Sequence, residues 1–261
     1  MKCGMARTAM TMSSGGQIAE HLSVGILARS YPRERIRAIL ERTGLQSRRV
    51  RDLPAEALVY YVIALGLFMA VSTGEVLRCL VEGLQWLGGG EGLRVAGKAA
   101  ISQARSRLGA AALKALWEES AQPLGKEGQP GCFYRGLRLM AADGSTLDVP
   151  DTAENLAHFG KQSSSRGEAA FPQLRFVSLC ECGAHAILAV RMGAYRTGEN
   201  TMAAEVVGHL KPGMLCLADR MYSSFALWQK AASTGAHLLW RTRRNALLPV
   251  GKGLGRWVGP F

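Results

Sequence analysis

Two aspartates, Asp143 and Asp219, each stand directly after a short, mainly apolar run, LRLMAA and MLCLA. Such runs read as buried strands, and in an open α/β sheet sites form beyond the carboxyl ends of strands. If the two strands lie side by side and parallel, the two carboxylates meet. With few cations nearby they repel each other unless a metal ion binds between them, and carboxylate oxygens suit hard divalent ions such as Mg²⁺ or Mn²⁺. Two such ions about 4 Å apart activate a water or hydroxyl and stabilise the leaving oxygen of a phosphodiester. The chemistry that follows is phosphoryl transfer on nucleic acid. Aspartates at strand ends also cap the helix or turn that comes next, and the spacing leaves both readings open.

Other residues bear on the same chemistry. Arg105 and Arg107, with Ser102 and Gln103 nearby, fall in a short helix that follows another helix across a loop. That layout is compatible with a helix-turn-helix, whose second helix enters the major groove; a solvated basic face is the alternative. Trp240, Arg241, Arg243 and Arg244 form a basic and aromatic cluster at the end of a strand, suited to tracking a DNA backbone or stacking a base, or else a plain basic loop. Glu199, at the start of a helix, stands near the expected metal site or serves that helix as a dipole or capping residue. Asp148 and Asp151 read as groups just outside the metal ligands or, more simply, as loop residues of a turn around Pro150. Gly92 to Ala99 nearly matches a phosphate-binding loop but lacks its Ser or Thr and a preceding strand, so no nucleotide site is expected. Cys180, Cys182 and His185 lack a fourth ligand and the usual zinc spacings.

The elements that must position these residues divide at a Gly- and Pro-rich linker, 122–131. Before it, residues 1–18 read as a flexible tail and 19–121 as an all-helical domain. Gly44 is a helix stop, Leu53-Pro54-Ala55 opens an apolar helix reaching about Val71, and Ser72-Thr73-Gly74 caps the next, with Val76, Leu77, Leu80, Leu84 and Leu87 inward. Gly88 to Gly90 breaks that helix, and AISQARSRL and AALKALWEESA follow as two more. After the linker the texture becomes α/β. A strand ends at Asp143, Leu174–Cys182 and Ala186–Met192 form a hairpin, Thr197–Leu210 is a helix, Met214–Ala218 a strand, Ser223–Ser233 a helix and His237–Thr242 a strand.

The 261 residues carry 32 Lys and Arg against 20 Asp and Glu, a formal net charge of +12. That excess favours a polyanionic partner, either nucleic acid or an anionic membrane surface. The longest apolar run, Leu58 to Val71, is shorter than the roughly 20 residues a membrane-spanning helix needs, so it reads as a core helix and nucleic acid gains. The six cysteines are scattered without the spacing of a secreted scaffold, and the start shows no signal peptide, in keeping with free thiols in a reducing cytosol.

Four runs, ADGSTLDVPDTAENLAHFGK (142–161), FPQLRFVSLCECGAH (171–185), YRTGEN (195–200) and LADRMYSSF (217–225), resemble the motifs of bacterial insertion-sequence transposases of the IS-four group. ISQARSRLG (101–109) resembles their N-terminal domain, and the likeness spans about residues 20 to 250. The resemblance implies an RNase H-like mixed sheet over 132–250 and a DDE mechanism, in which three acids hold two divalent metals. Asp143 and Asp219 stand for the first two. It also implies double-stranded DNA, terminal inverted repeats and target alike, as partner, with strand nicking and 3′-hydroxyl transfer as the reaction. A homo-oligomer or a mixed oligomer with full-length transposase, and a place in the bacterial cytoplasm at the nucleoid, are further implications. The third acid of the family is a glutamate on a later helix, after a β-rich insertion. Here 251–261, GKGLGRWVGPF, holds no acidic residue. The expectation is a C-terminally incomplete core with little or no cleavage by this chain alone, or a DNA-binding fragment that occupies element ends.

Overall fold

The computed structural model describes residues 24–47, 53–86, 95–165 and 167–243. The expected tail 1–18, the break at Gly88 to Gly90, Leu87, Arg244 and the segment 251–261 lie outside the described residues. The chain divides into two compact units, Met1–Ser120 and Ala121–Phe261.

The first unit is helical: α1 (Val24–Ser30), α2 (Arg33–Arg42), α3 (Ala55–Leu67), α4 (Thr73–Trp86), α5 (Lys98–Leu108) and α6 (Ala111–Ser120). Helix α2 buries Ile36, Ile39 and Leu40, the i, i+3, i+4 spacing of one helical face. It ends where Gly44 takes φ +68° and Leu45 N–H reaches back to the Leu40 carbonyl at 2.8 Å, a closure that favours glycine. Helix α3 buries Ala57, Leu58, Val59, Tyr60, Tyr61 and Ala64, so its apolar residues are consumed by the core on several sides. It stops at Leu67, short of the expected Val71, because Phe68 leaves helical geometry (ψ +46°) and Ser72 Oγ accepts the Glu75 N–H that opens α4. Val76, Leu77, Leu80, Val81 and Leu84 of α4 complete the core.

Around that core the arginines of α2 are paired. Arg33 and Arg37 both hold Glu56 at 2.7 Å, and Arg35 and Arg42 hold Glu119 at 3.4 and 2.6 Å. These pairs tie α2 to α3 and α6 at half-exposed positions, where each contributes little energy. Among the described residues no helix is long and apolar enough to cross a membrane.

The second unit is a mixed α/β sheet with strand order β6-β5-β2-β7-β8, and β1 pairs with the start of β2. The strands are β1 (Phe133–Tyr134), β2 (Leu137–Asp148), β5 (Gln173–Glu181), β6 (Ile187–Ala194), β7 (Met214–Ala218) and β8 (His237–Trp240); β3 (Ser163–Ser164) and β4 (Gly167–Glu168) form a separate small ribbon. Strand β2 is central, antiparallel to β5 and parallel to β7, and β8 is parallel to β7. The helices are α7 (Ala153–Phe159), α8 (Glu199–Val206) and α9 (Phe225–Ala232). A helical N-terminal unit followed by this mixed sheet is the architecture expected of an RNase H-like core. Met140, Ala142, Val177 and Leu179 of the sheet pack against Met202, Ala203 and Val206 of α8.

Three local expectations need correction. Strand β2 does not end at Asp143; it runs on to Asp148, because past the end of β7 it stays paired with β5 through Asp148↔Gln173. Asp148 is therefore a strand residue, and its Oδ1 accepts from Gln173 Nε2 at 2.9 Å. Helix α8 starts at Glu199 with Gly198 as its cap, not Thr197. Residues 124 and 125 are bound within the sheet unit. Glu181, fully buried, accepts the Leu124 and Gly125 N–H groups at 2.9 and 2.7 Å and an ion pair from Arg138. Arg138 in turn donates to the Gly125 carbonyl at 2.9 Å. Burial alone would raise the Glu181 carboxyl; the two backbone donors and the Arg138 guanidinium outweigh it and hold it below the usual carboxylate range.

Candidate functional site

The parallel ladder of β2 and β7 ends at Ala142↔Ala218. Asp143, still on β2, and Asp219, just past the end of β7, are the next residues, so two carboxylates leave neighbouring backbones at one level of the sheet. Both are exposed. Asp143 Oδ1 accepts the Gly144 N–H at 2.8 Å. Asp219 caps a 3₁₀ turn, Arg220–Tyr222, and its Oδ1 accepts the Met221 N–H at 2.7 Å. Asp219 therefore has the capping role that its position allowed, with one carboxylate oxygen engaged and the other free of that bond. Arg241 lies beside this end of the sheet: its N–H donates to the Ala218 carbonyl at 2.9 Å.

Behind the aspartates lies a group of which the sequence pointed to Glu199 alone. Gly144 follows Asp143 within β2, and a Cβ there would come within 2.9 Å of the Tyr222 hydroxyl and 3.2 Å of the Glu199 Cδ. Glycine inside a strand marks such a close approach. Tyr222 is 1% exposed, and its hydroxyl has no hydrogen-bond partner. Burial, followed by the charges of Glu199, Asp143 and Asp219, pushes its phenol well above the ordinary value, with Arg175 opposing them. The YRTGEN segment wraps around Arg175. Its guanidinium stacks 4.4 Å over the Tyr195 ring, donates to the Thr197 carbonyl at 3.3 Å and stands 3.8 Å from Glu199 Oε1. Arg196 points elsewhere, to the Ala157 carbonyl at 3.5 Å. The signals that could have found this group are the glycine after Asp143 and the aromatic three residues after Asp219. Arg175 carried none, being one polar residue of an alternating strand.

The donor chemistry at Asp143 and Asp219 fits a hard divalent ion, because both offer carboxylate oxygens. Among the described residues no group of three or more His, Cys, Asp or Glu side chains closes around one metal position. Asp143 and Asp219 are two candidate ligands, each one residue past the last pair of the β2–β7 ladder. Trp240, expected as a base-stacking residue, is buried and packs edge-on against Trp228 at 5.2 Å, so its ring is not open to a nucleic acid base. Arg241 and Arg243 are exposed; Arg244 lies outside the described residues. Asp151 pairs with Lys161 at 3.2 Å.

In the helical unit, α5 buries Ile101, Ala104 and Leu108 and leaves Ser102, Gln103, Arg105 and Arg107 exposed. The two arginines do not share one patch. Arg105 lines a groove with Ser102, Ser106, Val62 and Leu113, and Arg107 lines a hollow with Gln46 and Ser47. Two residues along a helix turn the side chain by about 200°, which accounts for the split. Neither arginine has an ion-pair partner among the described residues, in contrast to Arg33, Arg35, Arg37 and Arg42 of α2.

Comparison with known proteins agrees with this two-unit organisation. The family model described as insertion element 4 transposase N-terminal matches residues 21–118. Over 220 residues the chain is 31% identical to the transposase InsG for insertion sequence element IS4 of Escherichia coli, covering 84% of this chain and 47% of that protein. Over 234 residues it is 27% identical to the putative transposase InsZ of the same organism, covering 89% of this chain and 73% of that one. The chain thus spans about half the length of the first of these relatives. The helical unit thus matches the N-terminal domain of insertion element 4 transposases, and both units align with transposases of the IS4 group.

Proposed function

We propose that this chain serves DNA transposition, with its sheet unit as the phosphoryl-transfer core of a DDE transposase and its helical unit as the part that grips double-stranded DNA at element ends. The observation that supports the reading is the parallel register of β2 and β7, whose last pair, Ala142↔Ala218, immediately precedes Asp143 and Asp219. Asp143 and Asp219 would hold Mg²⁺ or Mn²⁺, and such ions would supply Lewis-acid activation for strand nicking and 3′-hydroxyl transfer. The chain's own residues fix the geometry: Met221 N–H orients the Asp219 carboxylate, and Gly144 N–H orients Asp143. Gln103, Arg105 and Arg107 on one unit, with Arg241, Arg243 and Arg244 on the other, supply contacts to DNA phosphates or base edges.

A second reading is favoured by the lack of a three-ligand group among the described residues. In it, this chain by itself binds terminal inverted repeats without cutting them, alone or in mixed oligomers with a full-length transposase. One experiment separates the two. Cleavage of DNA bearing the element's own ends is followed with Mg²⁺ or Mn²⁺, beside a binding titration in stepped salt. Metal-dependent nicking lost in Asp143→Ala and in Asp219→Ala supports the first reading. Binding without nicking, weakening steeply with salt as phosphate contacts are lost, supports the second. Nicking that survives both substitutions sinks the assignment of the two aspartates.

A further inference from the structure

Helix α9 carries apolar residues on two sides. Leu227 and Ala231, one turn apart, are buried against the core of the sheet unit. Phe225 is 81% exposed, and Trp228, one turn further along, is 40% exposed. Residues at i and i+3 are neighbours on a helix surface, so the two rings share the outer side. A helix packed on a sheet ordinarily presents polar residues there, and an aromatic pair left in water marks an interaction surface. Trp228 is held on its inner side by the buried Trp240, ring edge-on to ring at 5.2 Å. The helix follows the 3₁₀ turn that Asp219 caps, with only Ser223 and Ser224 between them. Arg241, directly after Trp240, is tied to the same end of the sheet by its bond to the Ala218 carbonyl. Arg220, Arg241 and Arg243 are all exposed, and none has an ion-pair partner among the described residues.

Flat aromatic faces beside unpaired cations fit a polyanion that has flat faces of its own, which is a nucleic acid strand. Within a duplex the base faces cover one another, so an unpaired base is what offers a face to stack on. Resting on the reading of DNA as this chain's partner, we propose that Phe225 and Trp228 form a stacking platform for unpaired bases next to Asp219, with Arg241 and Arg243 holding the phosphates of the same strand. The buried Trp240 supports the platform from within and takes no base itself. Every base has a π face, so the platform accepts any sequence. A second copy of this chain fits the surface less well. It would strip water from the arginines and offer the same cations in return, whereas a phosphate backbone meets them with opposite charge.

The test is fluorescence anisotropy of a labelled oligothymidine and of a labelled duplex, each titrated with the full chain in stepped salt. Sedimentation velocity and thermal melting of each variant run alongside. Phe225→Ala is expected to weaken single-strand binding about tenfold, the scale of one lost base stack, with its salt slope and its duplex binding unchanged. Phe225→Tyr, which keeps a flat ring, is expected to match the unsubstituted chain, and Phe225→Leu, apolar but not flat, to bind like Phe225→Ala. Arg241→Ala is expected to lower the single-strand salt slope by about 0.7. At so exposed a position the Phe225 variants should melt with the unsubstituted chain. Single-strand affinity unchanged in Phe225→Ala, or fully kept in Phe225→Leu, overturns the platform. So does a dimer of the unsubstituted chain that Phe225→Ala dissociates, since that face then meets a second copy. Duplex binding with no single-strand binding overturns this inference alone and spares the reading of DNA as partner; binding of neither DNA overturns both.

Discussion

The helical unit and the sheet unit handle charge in opposite ways. In the helical unit the core is apolar and its ion pairs, Glu56 with Arg33 and Arg37 and Glu119 with Arg35 and Arg42, sit half-exposed at the rim. In the sheet unit Glu181 is fully buried, and the Tyr222 hydroxyl and Arg175 Nε are buried without hydrogen bonds. Rim charges can be exchanged at little cost, which leaves such a surface free to be shaped by its partner. Buried polar groups cost stability and persist where they fix a geometry, as Glu181 does for residues 124 and 125.

That contrast can be broken or sharpened by substitution, followed by chemical denaturation. The largest effect is expected in the apolar core: Leu77→Ala, at a fully buried position, loses about 4 kcal/mol. A loss under about 1 kcal/mol would mean that α4 repacks and the helical core is loose. Next comes Glu181→Gln, which removes the charge that Arg138 and two backbone donors require and costs about 3 kcal/mol near neutral pH. The Glu181 carboxyl is depressed in the folded chain. Its contribution is therefore complete above the unfolded value of about 4.3 and lost as pH falls through the lower folded value. The gap between the variant and the unsubstituted chain should close on acidification below about pH 4; a gap that stays constant would show that Glu181 acts by shape alone.

A pair of glycines gives effects of opposite sign. Gly144→Ala drives a Cβ against the Tyr222 hydroxyl and is expected to cost about 2 kcal/mol. Gly66→Ala, inside α3 with open space around it, is expected to gain up to about 1 kcal/mol from helix propensity. Equal effects would remove the distinction between a packed site and a plain helix. The smallest change in stability, within about 0.5 kcal/mol, belongs to Arg105→Ala and Arg107→Ala. If these arginines touch phosphate, each substitution lowers the steepness of the salt dependence of DNA binding by about one unit, and an unchanged slope removes that residue from the interface.

Much of this was legible in the residues themselves. Period and punctuation gave the helices of the first unit and the hairpin β5-β6, because helical and strand periods are local and glycine marks where they end. Strand ends were the weak point. Asp143 reads as the end of a strand, since the apolar run stops there, but β2 continues because a neighbouring strand still supplies hydrogen bonds. Trp240 reads as an exposed stacking residue, yet Trp228, packing against it edge-on, covers it.

The sequence by itself determined the two-part layout, the positive charge and the candidate aspartates, since these depend on composition and short-range pattern. Only the tertiary structure decided that β2 and β7 are parallel and in a register whose last pair immediately precedes Asp143 and Asp219. Only it brought Glu199, Tyr222 and Gly144 to one point from three separate segments, and bound residues 124 and 125 to Glu181. Those are contacts between residues far apart along the chain, and local propensity carries no information about which distant partner a strand or side chain will meet.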